Sequence, residues 1–137
     1  MLLIQLIEFY VETVFVYSAT LTRALELSNL ANWRSHNVPM KDEFGEGWSY
    51  AFHGTGCFIS SSELEIDFEF DANCEVGGFD VWRLWSFVCD NSKVSSAFSN
   101  FTDKEKMERV FNQLVDAHFI EERAGLYRLS DVIKFDA

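Results

Sequence analysis

Basic side chains are scarce in this sequence. Lys and Arg number 11 against 22 Asp and Glu in 137 residues, which gives a formal net charge of −11. Binding to phosphate groups requires a basic surface, so this balance argues against nucleic acid and anionic lipid as partners. It favours a cationic partner, which long-range attraction would steer toward the protein.

Cysteine is also rare, and the spacing of the cysteines indicates neither a disulfide nor a metal site. The three cysteines, Cys57, Cys74 and Cys89, form no Cys-x-x-Cys pair, and their number is odd. A disulfide framework is therefore not expected, and free thiols suit a reducing cytoplasm. A zinc site built from these cysteines and His53 would match no standard ligand spacing. We predict no metal and no cofactor.

The apolar N-terminus lacks the marks of a signal peptide or a membrane span. No Lys or Arg precedes Leu2, and Glu8 and Glu12 interrupt the apolar run. A signal peptide needs a positive n-region, and ionised carboxylates are costly in hydrocarbon. The segment therefore predicts a soluble helix, in a cytoplasmic protein with no membrane partner.

Glycine is confined to the middle of the chain and thereby divides it. Six of the seven glycines lie between Gly45 and Gly78, and the seventh is Gly125. Because glycine lowers helix stability by about 1 kcal/mol per position, this predicts helix, then a turn-rich β region, then helices. We expect a single α+β domain over residues 1–137, with a long N-terminal helix, a small antiparallel sheet, two further helices and a C-terminal β-hairpin.

Hydrophobic periodicity gives approximate bounds for these elements. The predicted helices cover residues 2–30, Phe79–Asp90 and a stretch from Thr102, where Thr102-Asp103-Lys104-Glu105 fits a capping box. The predicted strands are Trp48–His53, Cys57–Ser60, Glu63–Phe70, Phe119–Arg123 and Leu126–Leu129. Fourteen Phe, four Trp and four Tyr indicate either a core rich in rings or rings that face a partner.

The last helix and hairpin resemble the recognition helix and wing of a winged-helix domain. Lys104, Lys106 and Arg109 are expected on the outer face of that helix, but acidic residues alternate with them. The segment 92–137 has a net charge of only −1, which is poor for DNA affinity. Nucleic acid is therefore not the expected partner.

Acidity is concentrated in residues 48–91, which contain eight acidic side chains and one basic side chain, Arg83. Within them, Glu63–Phe70 alternates strictly between acidic and apolar residues, and a period of two places the carboxylates on one face of a strand. The predicted partner-binding residues are Glu63, Glu65, Asp67, Glu69 and Asp71 on this row and Glu75 in the following turn.

Three interpretations of the acidic row stay open at this point. It could be a solvated sheet face whose charge blocks edge-to-edge aggregation. It could instead dock a basic protein, or hold a metal ion. Calcium would need more oxygen ligands at fixed offsets than Asp71–Glu75 supplies.

His53 and Cys57 flank a Gly-Thr-Gly segment. A tight turn there would bring them together as the Cys–His pair that thiol catalysis needs, whereas an extended chain would separate them by about 13 Å. Because no third group is identifiable, we predict no catalytic residue and give both a structural role.

Asp80, Trp82 and Arg83 belong to the predicted second helix. Asp80 and Arg83 are three residues apart, so we expect a first-turn carboxylate with a local ion pair. The alternative is that Arg83 neutralises the acidic row. Trp82 is expected on the broad apolar side of a mostly buried helix.

Three motifs combine into a recognisable pattern: His-Gly-x-Gly-Cys at His53–Cys57, Asp-Phe-x-Phe at Asp67–Phe70, and Gly-Phe-Asp-x-Trp-Arg-Leu at Gly78–Leu84. The combination resembles a small bacterial family of unknown function. The resemblance implies a single small bacterial domain and no known activity, so it assigns no catalytic residue. It also implies a loose association with toxin–immunity neighbourhoods.

The leading hypothesis is an immunity-type protein that neutralises a cognate toxin, such as a basic nuclease, by blocking its active site. Small size, the lack of a reaction constellation and the focused acidity favour it. The alternatives are a scaffold or interaction subunit with no toxin, and a small enzyme that uses Cys57 and His53. No oligomeric state is predicted.

Overall fold

The computed structural model describes residues 2–30, 38–40, 44–45, 47–53, 56–71, 78–123 and 125–130. The described helices are α1 (Leu3–Leu30), α2 (Val81–Asp90), α3 (Ser92–Ala97) and α4 (Lys104–Asp116), with a 3₁₀ turn at Ser99–Phe101. The described strands are β1 (Val38–Pro39), β2 (Trp48–His53), β3 (Gly56–Ser61), β4 (Ile66–Asp71), β5 (Ile120–Arg123) and β6 (Leu126–Leu129). The predicted α+β class is confirmed, with its long first helix, central antiparallel sheet and closing hairpin.

The chain forms two compact units. One, here the helical unit, comprises Met1–Val11 and Gly77–Ala137, and the other, here the sheet unit, comprises Glu12–Val76. Helix α1 contributes residues to both. The expectation of a single domain stays a prediction, because compact units of one chain can unfold together.

The sheet unit contains a four-stranded antiparallel sheet in the order β1-β2-β3-β4. Its register aligns apolar residues across three strands, so that one face is buried: Tyr50 with Ile59 and Phe68, and Phe52 with Cys57 and Phe70. This follows from the period of two along each strand.

Tyr17 of α1 joins the helix to the buried face of the sheet. Its side chain is 1% exposed, and its ring centroid lies 5.1 Å from that of Trp48 and 6.1 Å from that of Phe68. Its hydroxyl donates a 2.6 Å hydrogen bond to the backbone carbonyl of Ile66. An amphipathic residue in this position satisfies a buried carbonyl while its ring fills the core.

The helical unit has a core of aromatic rings centred on Phe79. Phe79 is fully buried, and its ring makes edge contacts with Tyr10 and Phe111, each at a centroid distance of 6.3 Å. Its backbone N–H and carbonyl form both hydrogen bonds of an antiparallel bridge to Tyr127, at 3.1 and 2.7 Å. Most of the large ring content is thus accounted for by packing inside the two units.

Helix α2 begins at Val81, two residues later than predicted, because Phe79 is extended and pairs with Tyr127. Asp80 is the N-cap, and its Oδ1 accepts a 2.8 Å hydrogen bond from the backbone N–H of Arg83. Its Oδ2 also forms an ion pair with the Arg83 guanidinium. The predicted local ion pair is therefore confirmed, while the carboxylate caps the helix N-terminus and does not lie in its first turn.

Helix α4 is capped by Asp103, and the predicted start at Thr102 is wrong. Asp103 Oδ1 accepts hydrogen bonds from the backbone N–H groups of Glu105 and Lys106, at 3.0 and 3.4 Å. The Thr102 hydroxyl instead donates to the Ser99 carbonyl, at 2.9 Å. Thr102 follows a 3₁₀ turn, and neither that turn nor α3 was predicted. In such short helices, packing decides more than sequence periodicity.

His118 closes α4 in a left-handed conformation, with φ of 65°. The N–H of Phe119 bonds the Leu114 carbonyl and that of His118 bonds the Val115 carbonyl, both at 3.0 Å, which is the Schellman pattern. That position favours glycine, because a Cβ atom is strained at positive φ.

Replacing His118 by glycine is therefore expected to raise the free energy of unfolding by about 1 kcal/mol. Urea unfolding followed by circular dichroism measures the change. His118→Ala is the matched control, since it removes the same ring but keeps the Cβ atom, and it should give no gain. Equal stability of the glycine and alanine variants would contradict the assignment of strain.

Candidate functional site

Strand β4 is the end strand of the described sheet, and it pairs with β3 alone among the described strands. Its alternate residues Ile66, Phe68 and Phe70 are buried, whereas Asp67 and Glu69 are exposed on the other face. The predicted separation of apolar and acidic residues along this segment is thus confirmed for the part that forms the strand.

Glu63 and Glu65 do not lie on the strand, which corrects the prediction of a strand from Glu63 to Phe70. Residues 62–65 form the turn between β3 and β4, in which the Ser61 carbonyl accepts a 2.9 Å bond from the N–H of Glu65 and the Ser61 hydroxyl accepts one from Leu64. Glu65 has a φ of 59°, which reverses the chain. The alternation of acidic and apolar residues continues through this turn, but in a turn it does not place the side chains on opposite faces of a sheet.

The four described acidic side chains nevertheless stay on one continuous β-hairpin segment. We call Glu63, Glu65, Asp67 and Glu69 the acidic edge; all four are exposed. Asp71 ends β4 opposite Gly56, and its side chain lies outside the described residues, as does the whole of Glu75. The partner-binding row is therefore described at four of its six predicted positions.

Among the described residues, the strand positions aligned with Asp67 and Glu69 on the outer face of the sheet carry no positive charge. Asp67 is aligned with Ser60, and Ser60 with Ser49, while Glu69 is aligned with Phe58, and Phe58 with Ala51. Every one of these neighbours is uncharged. Asp67 and Glu69, two residues apart on one strand face, hold their carboxylates about 7 Å apart, which corresponds to a repulsion of about 0.6 kcal/mol in water and about 2 kcal/mol at an effective dielectric constant of about 20.

Within the described part of the chain, the carboxylates of Glu63, Glu65 and Glu69 form no ion pair. Arg83 forms an ion pair with Asp80, and its alternative role in neutralising the row stays a prediction. Asp67 acts electrostatically inside its own unit, since its charge is a secondary cause of the raised pKa of Tyr17. The acidic edge thus presents three carboxylates to solvent and one that also interacts with the core.

His53 and Cys57 are not aligned with each other. The β2–β3 register aligns His53 with Gly56 and Cys57 with Phe52. Cys57 is 3% exposed, and burial raises the pKa of its thiol to about 11. A nucleophilic cysteine needs an accessible thiolate, so Cys57 has the properties of a core residue, as the structural interpretation expects. The side chain of His53 lies outside the described part of the structure, and so does the whole of Cys74.

Trp82 is exposed, which corrects its expected place on a buried helix side. It is 57% exposed, and its ring centroid lies 5.4 Å from that of Trp85. The ammonium group of Lys104 lies over both rings. Periodicity within α2 could not find this cluster, because Lys104 is distant in sequence and comes from α4. The one available signal was the density of large rings in a short helix.

The described residues contain no group of three or more His, Cys, Asp or Glu side chains placed to hold a metal ion. The candidate calcium segment Asp71–Glu75 lies mostly outside the described residues. Among the described helices, none combines the length and the apolar character needed to cross a membrane.

Comparison with known proteins gives one match. A family model with the description Domain of unknown function (DUF6896) matches residues 3–129, almost the whole chain. No curated protein matches the chain, and no solved structure matches it. The family therefore supplies no activity, substrate or partner, and function has to be argued from the surface.

Proposed function

We propose that this protein, which belongs to the DUF6896 family, is a cytoplasmic immunity-type protein. It binds and neutralises a basic toxin through the acidic edge. The supporting observation is that Glu63, Glu65 and Glu69 are exposed on one hairpin segment with no ion pair to another described residue. A cationic partner would remove their mutual repulsion and supply the missing counter-charges.

The charge distribution favours binding over a general solubilising role. Residues 48–91 contain one basic residue against eight acidic residues, whereas residues 92–137 are nearly neutral. A solubilising coat would need no such concentration. A focused negative field instead steers a basic partner to one part of the surface and raises its association rate.

The proposed mechanism is occlusion. A nuclease binds its substrate through positive side chains that contact phosphate groups spaced along a backbone. Asp67 and Glu69, at i and i+2 of β4, hold their carboxylates about 7 Å apart, and Glu63 and Glu65 extend this negative surface along the turn between β3 and β4. The acidic edge would occupy the phosphate sites, and β4, as the end strand of the described sheet, adds backbone groups that an extended partner segment can bond.

Binding to the product of the adjacent gene tests this proposal. Isothermal titration at low and at high NaCl should give a complex whose dissociation constant rises roughly tenfold or more with salt, because exposed charge pairs are screened. Replacing Glu63, Glu65 and Glu69 together by Gln should weaken binding by roughly ten- to a hundredfold, about 1 kcal/mol or less for each lost pair.

The matched control replaces Glu8, Glu12 and Glu108 by Gln, which removes the same charge from exposed helix positions. This variant should bind within about threefold of the unmodified protein, since only general attraction is reduced. An equal loss in both triple variants, or no complex at low salt, would contradict the acidic edge as the binding surface. A complex that leaves toxin activity intact would favour a scaffold role instead.

A further inference from the structure

Helix α2 carries a tryptophan pair in which Trp82 is exposed and Trp85 is half-buried. Trp82 and Trp85 lie three residues apart on one helix face, with ring planes 48° apart and centroids separated by 5.4 Å. The indole N–H of Trp85 donates a 2.9 Å hydrogen bond to the Thr102 carbonyl, which fixes that ring. Trp82 leaves more than half of its surface in solvent, although buried indoles contribute far more to stability than exposed ones.

An ammonium group already occupies this pair. The Nζ atom of Lys104 lies 5.0 Å from the centroid of Trp82 and 5.9 Å from that of Trp85, within the range of cation–π attraction for both. Lys104 is the first residue of α4, where the helix dipole disfavours a positive charge. A lysine at this position is therefore not favoured by the helix, but it is favoured by cation–π attraction to the two tryptophan rings.

We infer that Trp82 and Trp85 form a receptor for a lysine ammonium group of a basic protein partner, and that Lys104 fills it in the free protein. Two tilted rings suit a compact ammonium that contacts both faces, whereas a planar guanidinium would stack on one ring only. Lys104 is exposed, and an exposed cation–π contact is worth only about 0.5–1 kcal/mol, so an incoming lysine can replace it at small cost.

The charge of the whole chain points to the same class of occupant. With a net charge of −11, the protein attracts cations to its surface, among them the lysines of a basic partner. The receptor shares only this class of partner with the proposed function. It uses residues of the helical unit, whereas the acidic edge belongs to the sheet unit, so either can fail alone.

Titration with short peptides tests the receptor without a known partner. The probe is the blocked tripeptide acetyl-Gly-Lys-Gly-amide, and its control carries norleucine, which has a similar apolar stem without the ammonium. The indole N–H resonances of Trp82 and Trp85, assigned with Trp→Phe variants, should move with the lysine peptide and not with the norleucine peptide. The buried Trp48 serves as the internal reference.

Substitution of Lys104 provides a more specific test of the receptor. Lys104→Met removes the internal competitor and should lower the dissociation constant of the lysine peptide two- to fivefold, the size of an exposed cation–π contact. Lys106→Met removes the same charge from the same helix turn at a residue two positions away, on a different face of the helix, and should change the constant by less than that. Trp82→Leu should abolish the indole response at Trp85 while circular dichroism stays unchanged, since Trp82 is largely exposed.

Three results would overturn the inference. The first is an equal response to the lysine and norleucine peptides, because then the ammonium is not recognised. The second is an equal gain from Lys104→Met and Lys106→Met, because then only net charge matters. The third is an unchanged response in Trp82→Leu. None of these results bears on the Glu63, Glu65 and Glu69 variants, whose effect is read from binding of the toxin.

Discussion

Phe79→Ala is expected to lower the free energy of unfolding by about 3–5 kcal/mol, the usual cost of deleting a fully buried phenylalanine ring. Phe79 has no exposed surface and contacts the rings of Tyr10 and Phe111 from opposite segments of the chain. Alanine would keep the two backbone bonds to Tyr127 and leave a cavity where the ring was. Typical domains are stable by only 5–15 kcal/mol, so a large share of the total would be lost.

Urea unfolding followed by far-ultraviolet circular dichroism measures this loss. The control is Phe15→Ala, which removes the same ring from a position of α1 that is 79% exposed, and should change stability by less than about 0.5 kcal/mol. Phe79→Leu should fall between the two, because most of the volume is kept. A cost below about 1 kcal/mol for Phe79→Ala would mean that this ring does not centre the helical core.

The strands with a clean period of two could be predicted from the sequence, because burial on one face imposes that period. Strand β2 has the predicted bounds, β3 differs by one residue at each end, and β5 begins one residue late. For strand β4 the same periodicity predicts a wrong start. Alternation from Glu63 through Glu65 continues across a reversal that only the geometry of the β3–β4 hairpin imposes.

In the candidate site, likewise, contacts between residues close in sequence could be predicted, whereas contacts between distant residues could not. The cap and ion pair of Asp80 with Arg83 follow from a spacing of three residues, and the ion pair was predicted. The exposure of Trp82 depends on how α4 packs against α2, and the ammonium that covers it comes from Lys104. Contacts between residues far apart in sequence leave no periodic signal, so no reading of α2 alone could have placed them.

Tyr17→Phe is expected to lower the free energy of unfolding by about 1–3 kcal/mol at neutral pH, because the Ile66 carbonyl would lose its buried donor. The difference should also depend on pH. Burial, and secondarily the charge of Asp67, raises the pKa of Tyr17 from 10.0 to about 12. The folded protein therefore holds this proton more tightly than the unfolded chain does.

A pKa raised in the folded state gives stability that is fully present below pH 10 and is lost as the pH rises from about 10 to about 12. Two pKa units correspond to roughly 2–3 kcal/mol. The unmodified protein should lose this amount over that interval through Tyr17, whereas Tyr17→Phe should not. The raised pKa of Cys57 acts in both proteins and cancels in the difference.

The stability curves of the two proteins should therefore converge above pH 10, and urea midpoints measured from pH 8 to pH 12 would show it. Tyr127→Phe is the control, since Tyr127 has a raised pKa but belongs to the helical unit and leaves the Tyr17 bond intact. That variant should keep most of the alkaline loss. Parallel curves for the unmodified protein and Tyr17→Phe would mean that the pKa of Tyr17 is the same in the folded protein as in the unfolded chain. The hydrogen bond from Tyr17 to Ile66 would then not contribute to holding the sheet against α1.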